Sequence, residues 1–342
     1  MKRIFLGMIM SMMVMLVNGQ SGVTILSKDS IQSMLDKMGV PGVAIATIEH
    51  GAINQVLSVG TILNDQPAAY NSIFNTASIT KAVTAYLAVS LMEQGKLDLD
   101  ERLNKYWVDP DLKGDKRVKL LTPHIILSHQ TGFDNWRWMN DKKKLRFNAD
   151  PGTKVTYSGE GYEYLRKALE NKFKKSFVEL VDEYVFDQLD MDDTQLGWSD
   201  DVEIERYAGE FKTVNEPYEI TKDGPSAADD LLTTAEDLIL FSRSVMTRAQ
   251  NTMYEEYFAS KVEARPGIQF SYGWVRFDDL PNDEYALFGA GGDKGVSAMI
   301  CILPKSNRAI VLISNGENRG LVTNLMRIAL GSVGNDIVGR FQ

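Results

Sequence analysis

Ser78 and Lys81, in Ser78-Ile-Thr-Lys81, form the one S-x-x-K in the chain. Serine is a weak nucleophile at its own pKa and works only with a base within hydrogen-bond reach. On a helix the i, i+3 spacing puts both side chains on one face, one turn apart, so Lys81 is placed to be that base. Apolar neighbours such as Ala77 and Ala82 would disfavour the ammonium form of a buried lysine and let it take the serine proton. A serine at a helix start also offers its own backbone N–H, backed by the helix dipole, to an oxyanion. The bland alternative is an ordinary N-cap serine followed by a surface lysine.

Three elements must position this pair. The stretch Ile73-Phe-Asn-Thr-Ala77 reads as a strand running into a turn, and a helix from about Ser78 to Gln94 follows, stopped by Gly95. Apolar and small residues lie all round that helix, which marks it as buried. With this context Phe74-Asn-Thr-Ala-Ser-Ile-Thr-Lys81 resembles the first motif of the serine β-lactamase and penicillin-binding protein family, in particular class C β-lactamase-related hydrolases. The resemblance extends over almost all of the chain after its first residues.

Two further segments are similar to family motifs. Pro151-Gly-Thr-Lys-Val-Thr-Tyr-Ser-Gly-Glu-Gly161 resembles the Y-x-N motif. The resemblance makes Tyr157 the partner acid or base that shares the proton traffic of Ser78, and it puts Gly159 where an asparagine amide usually contacts substrate. Phe288-Gly-Ala-Gly-Gly-Asp-Lys-Gly295 resembles the strand motif that begins with lysine or histidine. Here Gly289 stands at the cation, Ala290 at the middle position, and Gly291 and Gly292 match. By resemblance Gly292 supplies the second oxyanion N–H beside that of Ser78, and its bare backbone lets substrate lie close. Lys294, just beyond the motif's glycines, and, as the weaker candidate, Arg276 on a neighbouring strand-like segment are the cations available to replace the missing charge. A nucleotide loop is a poor alternative, because the glycines lack the G-K-[ST] ending and a strand-like run follows them. The segments 184–191 and 227–237 look like family landmarks with structural roles, as does Leu127-Ser-His-Gln-Thr-Gly-Phe133.

Scarcity narrows the chemistry. The three histidines are His50, His124 and His129. His50 precedes Gly51 in a turn, and the other two are five apart, which is not the i, i+4 spacing of paired ligands on one helix face. They are expected to pack or cap rather than to form a triad or hold metal. The single cysteine, Cys301, lies in an apolar run and is expected to pack as a small hydrophobe; no intrachain disulfide is possible. The chemistry outlined needs no metal and no organic cofactor. A net charge of −9 argues against nucleic acid or an anionic membrane as partner.

Met1-Lys-Arg3, an apolar run from Ile4 to Val17 and Asn18-Gly-Gln20 read as a secretory signal peptide, residues 1–19, whose apolar run is shorter than the ~20 residues of a membrane span. The expected product is exported, periplasmic or secreted, with no stable membrane span. The remaining 20–342, at 44% hydrophobic overall, can bury one large core.

A helix at 30–38 and strands at 43–48 and 55–59 open the chain, and a mostly helical middle with little sheet follows. Thr233-Thr-Ala-Glu236 reads as a capping box for a helix to Val245. Strand patterns return at 270–277, 284–288, 296–303 and 309–314, and a helix at 321–330 closes the chain. The fold class is therefore α+β: one antiparallel sheet built from both chain ends (about 24–77 and 246–342), flanked by helices, with a helical lobe at about 78–245 inserted.

The function expected is acyl transfer to water on an ester, amide or lactam carbonyl of a small molecule or peptide. An esterase or peptidase is favoured, and a β-lactamase or D-alanyl-D-alanine carboxypeptidase is the alternative. The rival from another class is a binding or sensor module that has kept the fold and lost turnover.

Overall fold

A computed structural model describes residues 22–24, 26–259, 262–266 and 268–341; the expected signal peptide lies outside them. Helix α1 (Lys28–Met38) is capped by the Ser27 side chain and ends on left-handed Gly39. It leads into the hairpin β1 (Gly42–Glu49) and β2 (Ala52–Gly60), whose turn carries His50 at φ 52. Strand β3 (Phe74–Asn75) runs into a 3-10 turn, Ala77–Ile79, and then α2 (Thr80–Glu93).

The middle of the chain holds α3 (Pro123–Leu127), α4 (Gly159–Phe173), α5 (Phe177–Val181) and α6 (Asp187–Leu189), the last two joined by a π-turn. Four short strands also lie there: β4 (Gln195–Leu196), β5 (Phe211–Thr213), β6 (Glu216–Pro217) and β7 (Leu231–Thr233). They escape a periodicity reading because two or three residues carry no alternation. Helices α7 (Ala235–Ala249) and α8 (Thr252–Ala259) follow. Then come β8 (Val262–Arg265), β9 (Ile268–Ser271), β10 (Trp274–Leu280), β11 (Glu284–Asp293), β12 (Val296–Leu303) and β13 (Arg308–Ser314). The described chain closes with α9 (Arg319–Leu330) and α10 (Ser332–Gly339).

Eight strands form one antiparallel sheet in the order β2-β1-β13-β12-β11-β10-β9-β8, while β3-β7-β4 form a small second sheet. Both faces of the large sheet are covered, which is why β1, β12 and β13 read as near-continuous apolar runs rather than alternating ones. Ile31 of α1 and Leu325 and Met326 of α9 pack with Ile45, Phe288 and Cys301 on one face. Val83 of α2 and Leu238 and Phe241 of α7 pack with Ala44, Leu287 and Ile300 on the other. Burial raises the Cys301 thiol to about 12, so this cysteine is a packed, inert group.

Three local expectations need correction. The stretch 270–277 is not one strand but the hairpin β9–β10, turning at Tyr272 (φ 32) and Gly273 (φ 83). A Cβ on Gly273 would lie 2.7 Å from Ala85 Cβ and 2.9 Å from the Lys81 carbonyl, so only glycine lets this turn rest on α2. The cap of α7 is Thr234, bonded to Asp237 N, one residue later than read, because Thr233 is still paired in β7. Helix α10, immediately after α9, was not anticipated; its run of small residues and glycines gives a weak helical pattern.

Candidate active site

The Ser78 turn is built from its own neighbours. Asn75 is paired in β3, and its side chain accepts the Ala77 N–H at 2.8 Å. Ala77 is held at φ 47, a left-handed, sparsely populated conformation for a residue with a Cβ. Ser78 follows in the 3-10 turn, and the α-helical ladder begins only at Thr80. The first turn of α2 then grasps the backbone that leads into β7: Thr80 Oγ1 accepts from Leu231 N at 3.1 Å, and Thr84 Oγ1 donates to the Ala227 carbonyl at 2.7 Å. Lys81 Nζ donates to the Ala228 carbonyl at 2.7 Å and to Ser78 Oγ at 3.1 Å. The Lys81 residue is 3% exposed. A serine and a lysine nitrogen at this distance can exchange a proton without further movement.

Tyr157 flanks the pair from the loop before α4. Lys81 Nζ lies 4.8 Å from the Tyr157 ring centroid and 6.0 Å from that of Tyr162. The Tyr157 ring stacks on His129, centroids 4.5 Å apart, and His129 also meets Phe270 edge-on at 4.8 Å. His129 is buried, and its imidazole is brought down to about 3, by desolvation first and by Lys81 second. It is therefore a neutral packed ring, not a free base. His124 bonds to Tyr272 OH away from Ser78, consistent with a packing role.

Gly159 lies behind Trp136 rather than on the cavity surface. A Cβ on Gly159 would sit 2.6 Å from Trp136 Cη2, so the indole occupies the space an asparagine side chain would need. Asn135 Oδ1 meanwhile accepts the Gly159 N–H at 2.9 Å. Arg137, bonded to Glu160 and Asp109, anchors the turn that carries Trp136 and Trp138.

The opposite wall is the end of β11. Pairing with β10 stops at Phe288, while pairing with β12 continues through Asp293, so Gly289 to Asp293 present one unpaired edge. A Cβ on Gly291 would fall 1.9 Å from the Thr76 carbonyl oxygen. The strand therefore approaches the Ser78 turn as closely as backbone allows. A Cβ on Gly289 would meet Ile79 and Trp274 at 3.2 and 3.3 Å, and one on Gly292 would meet the Arg319 guanidinium at 2.5 Å.

These walls enclose a cavity of about 1190 Å³ that includes Ser78, Lys81, Tyr157, Gly289, Ala290, Gly291 and Gly292 in its lining. Five carboxylates, Glu163, Asp223, Asp229, Asp230 and Asp293, line it too. Burial, with Asp229 next in effect, pushes Asp230 up to about 7. Neither cation suggested by sequence borders the cavity. Arg276 is bound to Asp278 and the Phe258 carbonyl, and Lys294 is exposed beyond the strand end. Arg319, at the start of α9, is the cation that lies across the glycine edge. Sequence reasoning missed Arg319, Trp136 and Asp229 as lining residues. Only the Trp136-Arg-Trp138 cluster carried a signal, two large aromatics in a polar loop.

Comparisons with known proteins identify the fold and the family. Solved structures with the same fold include a class C beta-lactamase, with TM-score 0.75, 20% identity, and 90% of this chain and 95% of that chain covered. Another is the D-alanine carboxypeptidase AmpC from Burkholderia cenocepacia, with TM-score 0.74, 20% identity and 89% and 97% covered. Among curated proteins, Protein flp of Staphylococcus aureus (strain MW2) is 22% identical over 312 residues, 83% of this chain and 61% of that protein. A putative fimbrial assembly protein FimD of Dichelobacter nodosus is 29% identical over 136 residues, 35% and 34% of the two chains. This chain thus spans about three fifths of Protein flp and about a third of FimD in its matches. The sequence model of the beta-lactamase family matches residues 28–332, nearly all of the described chain, and the chain belongs to that family.

Proposed function

We propose that this protein is a serine hydrolase that forms an acyl-enzyme on Ser78, with Lys81 and Tyr157 as general base and acid. The observation that carries the proposal is the 3.1 Å approach of Lys81 Nζ to Ser78 Oγ inside a buried site. With the lysine neutral the same contact runs the other way: the Ser78 proton passes to Nζ as Oγ attacks the carbonyl carbon. The backbone N–H groups of Ser78 and Gly292 receive the oxyanion. Tyr157 delivers a proton to the leaving group, and water, deprotonated by the same groups, releases the acid and restores Ser78. The apolar signal-like start supports export to the periplasm or medium, and the acidic charge balance supports a small-molecule or peptide substrate rather than nucleic acid.

Esters and peptide-like amides fit the cavity better than anionic lactams. Gly289 and Ala290 offer neither cation nor hydroxyl to a substrate carboxylate, and four aspartates share the cavity. One observation favours a second reading: the Arg319 guanidinium beside Gly292 suits a substrate carboxylate. That would fit a β-lactamase or D-alanine carboxypeptidase activity, as named for two of the similar structures. A binding or sensor module is opposed by the intact Ser78, Lys81 and Tyr157.

The test is kcat/KM on short-chain p-nitrophenyl esters against a chromogenic cephalosporin. A hydrogen bond to a charged group contributes roughly 1.5–3 kcal/mol, so loss of the strand cation should leave the ester ahead by about ten- to a hundredfold. A cephalosporin turned over as well as the ester would favour the second reading.

A further inference from the structure

His129 takes no part in the proton transfers above, yet it contacts the catalytic loop at three points. Its carbonyl accepts Thr156 N–H at 2.8 Å. Its Nδ1 accepts Ser158 N–H at 3.1 Å. Between those two bonds lies Tyr157, whose ring stacks on the imidazole at 4.5 Å. We propose that His129 is the positioning residue of Tyr157, fixing its backbone from both sides and its ring from one face so that the ring stays beside Lys81 Nζ.

The local chemistry suits that task. Because Nδ1 is an acceptor, the neutral ring carries its proton on Nε2. The ionisable groups facing it are Lys81 from α2, Tyr162 from α4 and Tyr157 itself. Burial above all keeps the imidazole uncharged down to about pH 3, with Lys81 adding to it only while it carries its charge, so the acceptor at Nδ1 persists across any ordinary assay range. Protonation would turn Nδ1 into a donor facing another donor. The backbone of His129 is left-handed, φ 57, which aims its carbonyl and its side chain at the same loop. Asparagine also tolerates that conformation.

The inference rests on Tyr157 acting in the reaction, so its test is a double-mutant cycle in the full chain, using p-nitrophenyl acetate. His129→Phe keeps a ring and removes the acceptor; kcat should fall by about ten- to a hundredfold with KM within about threefold, as for a displaced general acid–base group. His129→Asn keeps an acceptor on tolerant backbone and should fold even if the phenylalanine variant does not, losing about three- to tenfold. In a Tyr157→Phe background both losses should shrink below about twofold. Losses that persist undiminished in that background, or a His129→Phe enzyme with wild-type kcat, would overturn the positioning role. Wild-type kcat in Tyr157→Phe alone would instead defeat the assignment of Tyr157, and the inference with it.

Discussion

The two walls of the cleft are built on opposite principles. On the helical side, Ser78, Lys81, Tyr157 and His129 are locked by hydrogen bonds and ring contacts to α2, the 227–231 backbone and one another. On the strand side, Gly289 to Gly292 offer near-bare backbone on an unpaired edge, and the charges that border it are Asp293 at the strand end, Arg319 on α9 and the aspartates at 223, 229 and 230. The contrast separates two jobs. Proton transfer demands fixed side chains at hydrogen-bond distance, whereas substrate selection is carried here by whatever borders an empty strand. Such a wall can change its preference without disturbing the chemistry.

Breaking the helical wall should have the largest effect. Lys81→Ala should lower kcat by at least ~10³-fold, and Tyr157→Phe by about 10²–10⁴-fold, with thermal melting little changed in the second case. Near-wild-type turnover in either would show that another group moves the proton. Next comes Gly291→Ala on the strand wall. Its methyl group has no room beside the Thr76 carbonyl, so the strand must withdraw from the Ser78 turn. Ester turnover should drop by about a hundredfold, roughly what removal of one oxyanion donor costs, and unaltered kcat would mean that this edge is not part of the oxyanion site.

A smaller, selective change is expected from Arg319→Leu. Hydrolysis of carboxylate-bearing substrates should fall by about tenfold while neutral esters hold their rate, as expected for a single charged contact; equal losses on both would make Arg319 structural. The smallest effect concerns stability. Asp230 has its carboxyl raised to about 7, so the folded state binds a proton more tightly than the unfolded chain. Its contribution is present at low pH and lost as pH rises from about 4 to about 7. Asp230→Asn should remove that part of the slope and raise stability at pH 8 on the order of 1 kcal/mol. Parallel melting curves against pH for the two proteins would contradict it.

How much of this was legible in the sequence follows the same division. The helical wall is local: Ser78 and Lys81 are three residues apart, so spacing exposes them, and Tyr157 is reached through the resemblance of its contiguous motif. Most of the large sheet was legible from both chain ends because buried strands such as 296–303 are long and apolar, but β8 was not anticipated, and β9 and β10 read as one strand. Arg319 and Asp229 meet the glycine edge only through the fold, across segments that carry no shared pattern. The hairpin turn at Tyr272–Gly273 was lost because apolar residues continue straight through it. Gly159 was seen as a missing asparagine, but not that Trp136 takes its place, since that depends on a loop packing against a helix start.

Everything above turns on one oxygen, and mass spectrometry can observe it directly. Incubated with a fluorophosphonate and digested, the protein should carry the adduct on Ser78, stoichiometrically. Ser78→Ala should lose both the adduct and ester hydrolysis while melting at nearly the same temperature, because only a single cavity-lining hydroxyl is removed. An adduct on any other residue, or a Ser78→Ala protein that keeps even a tenth of its turnover, would contradict the assignment.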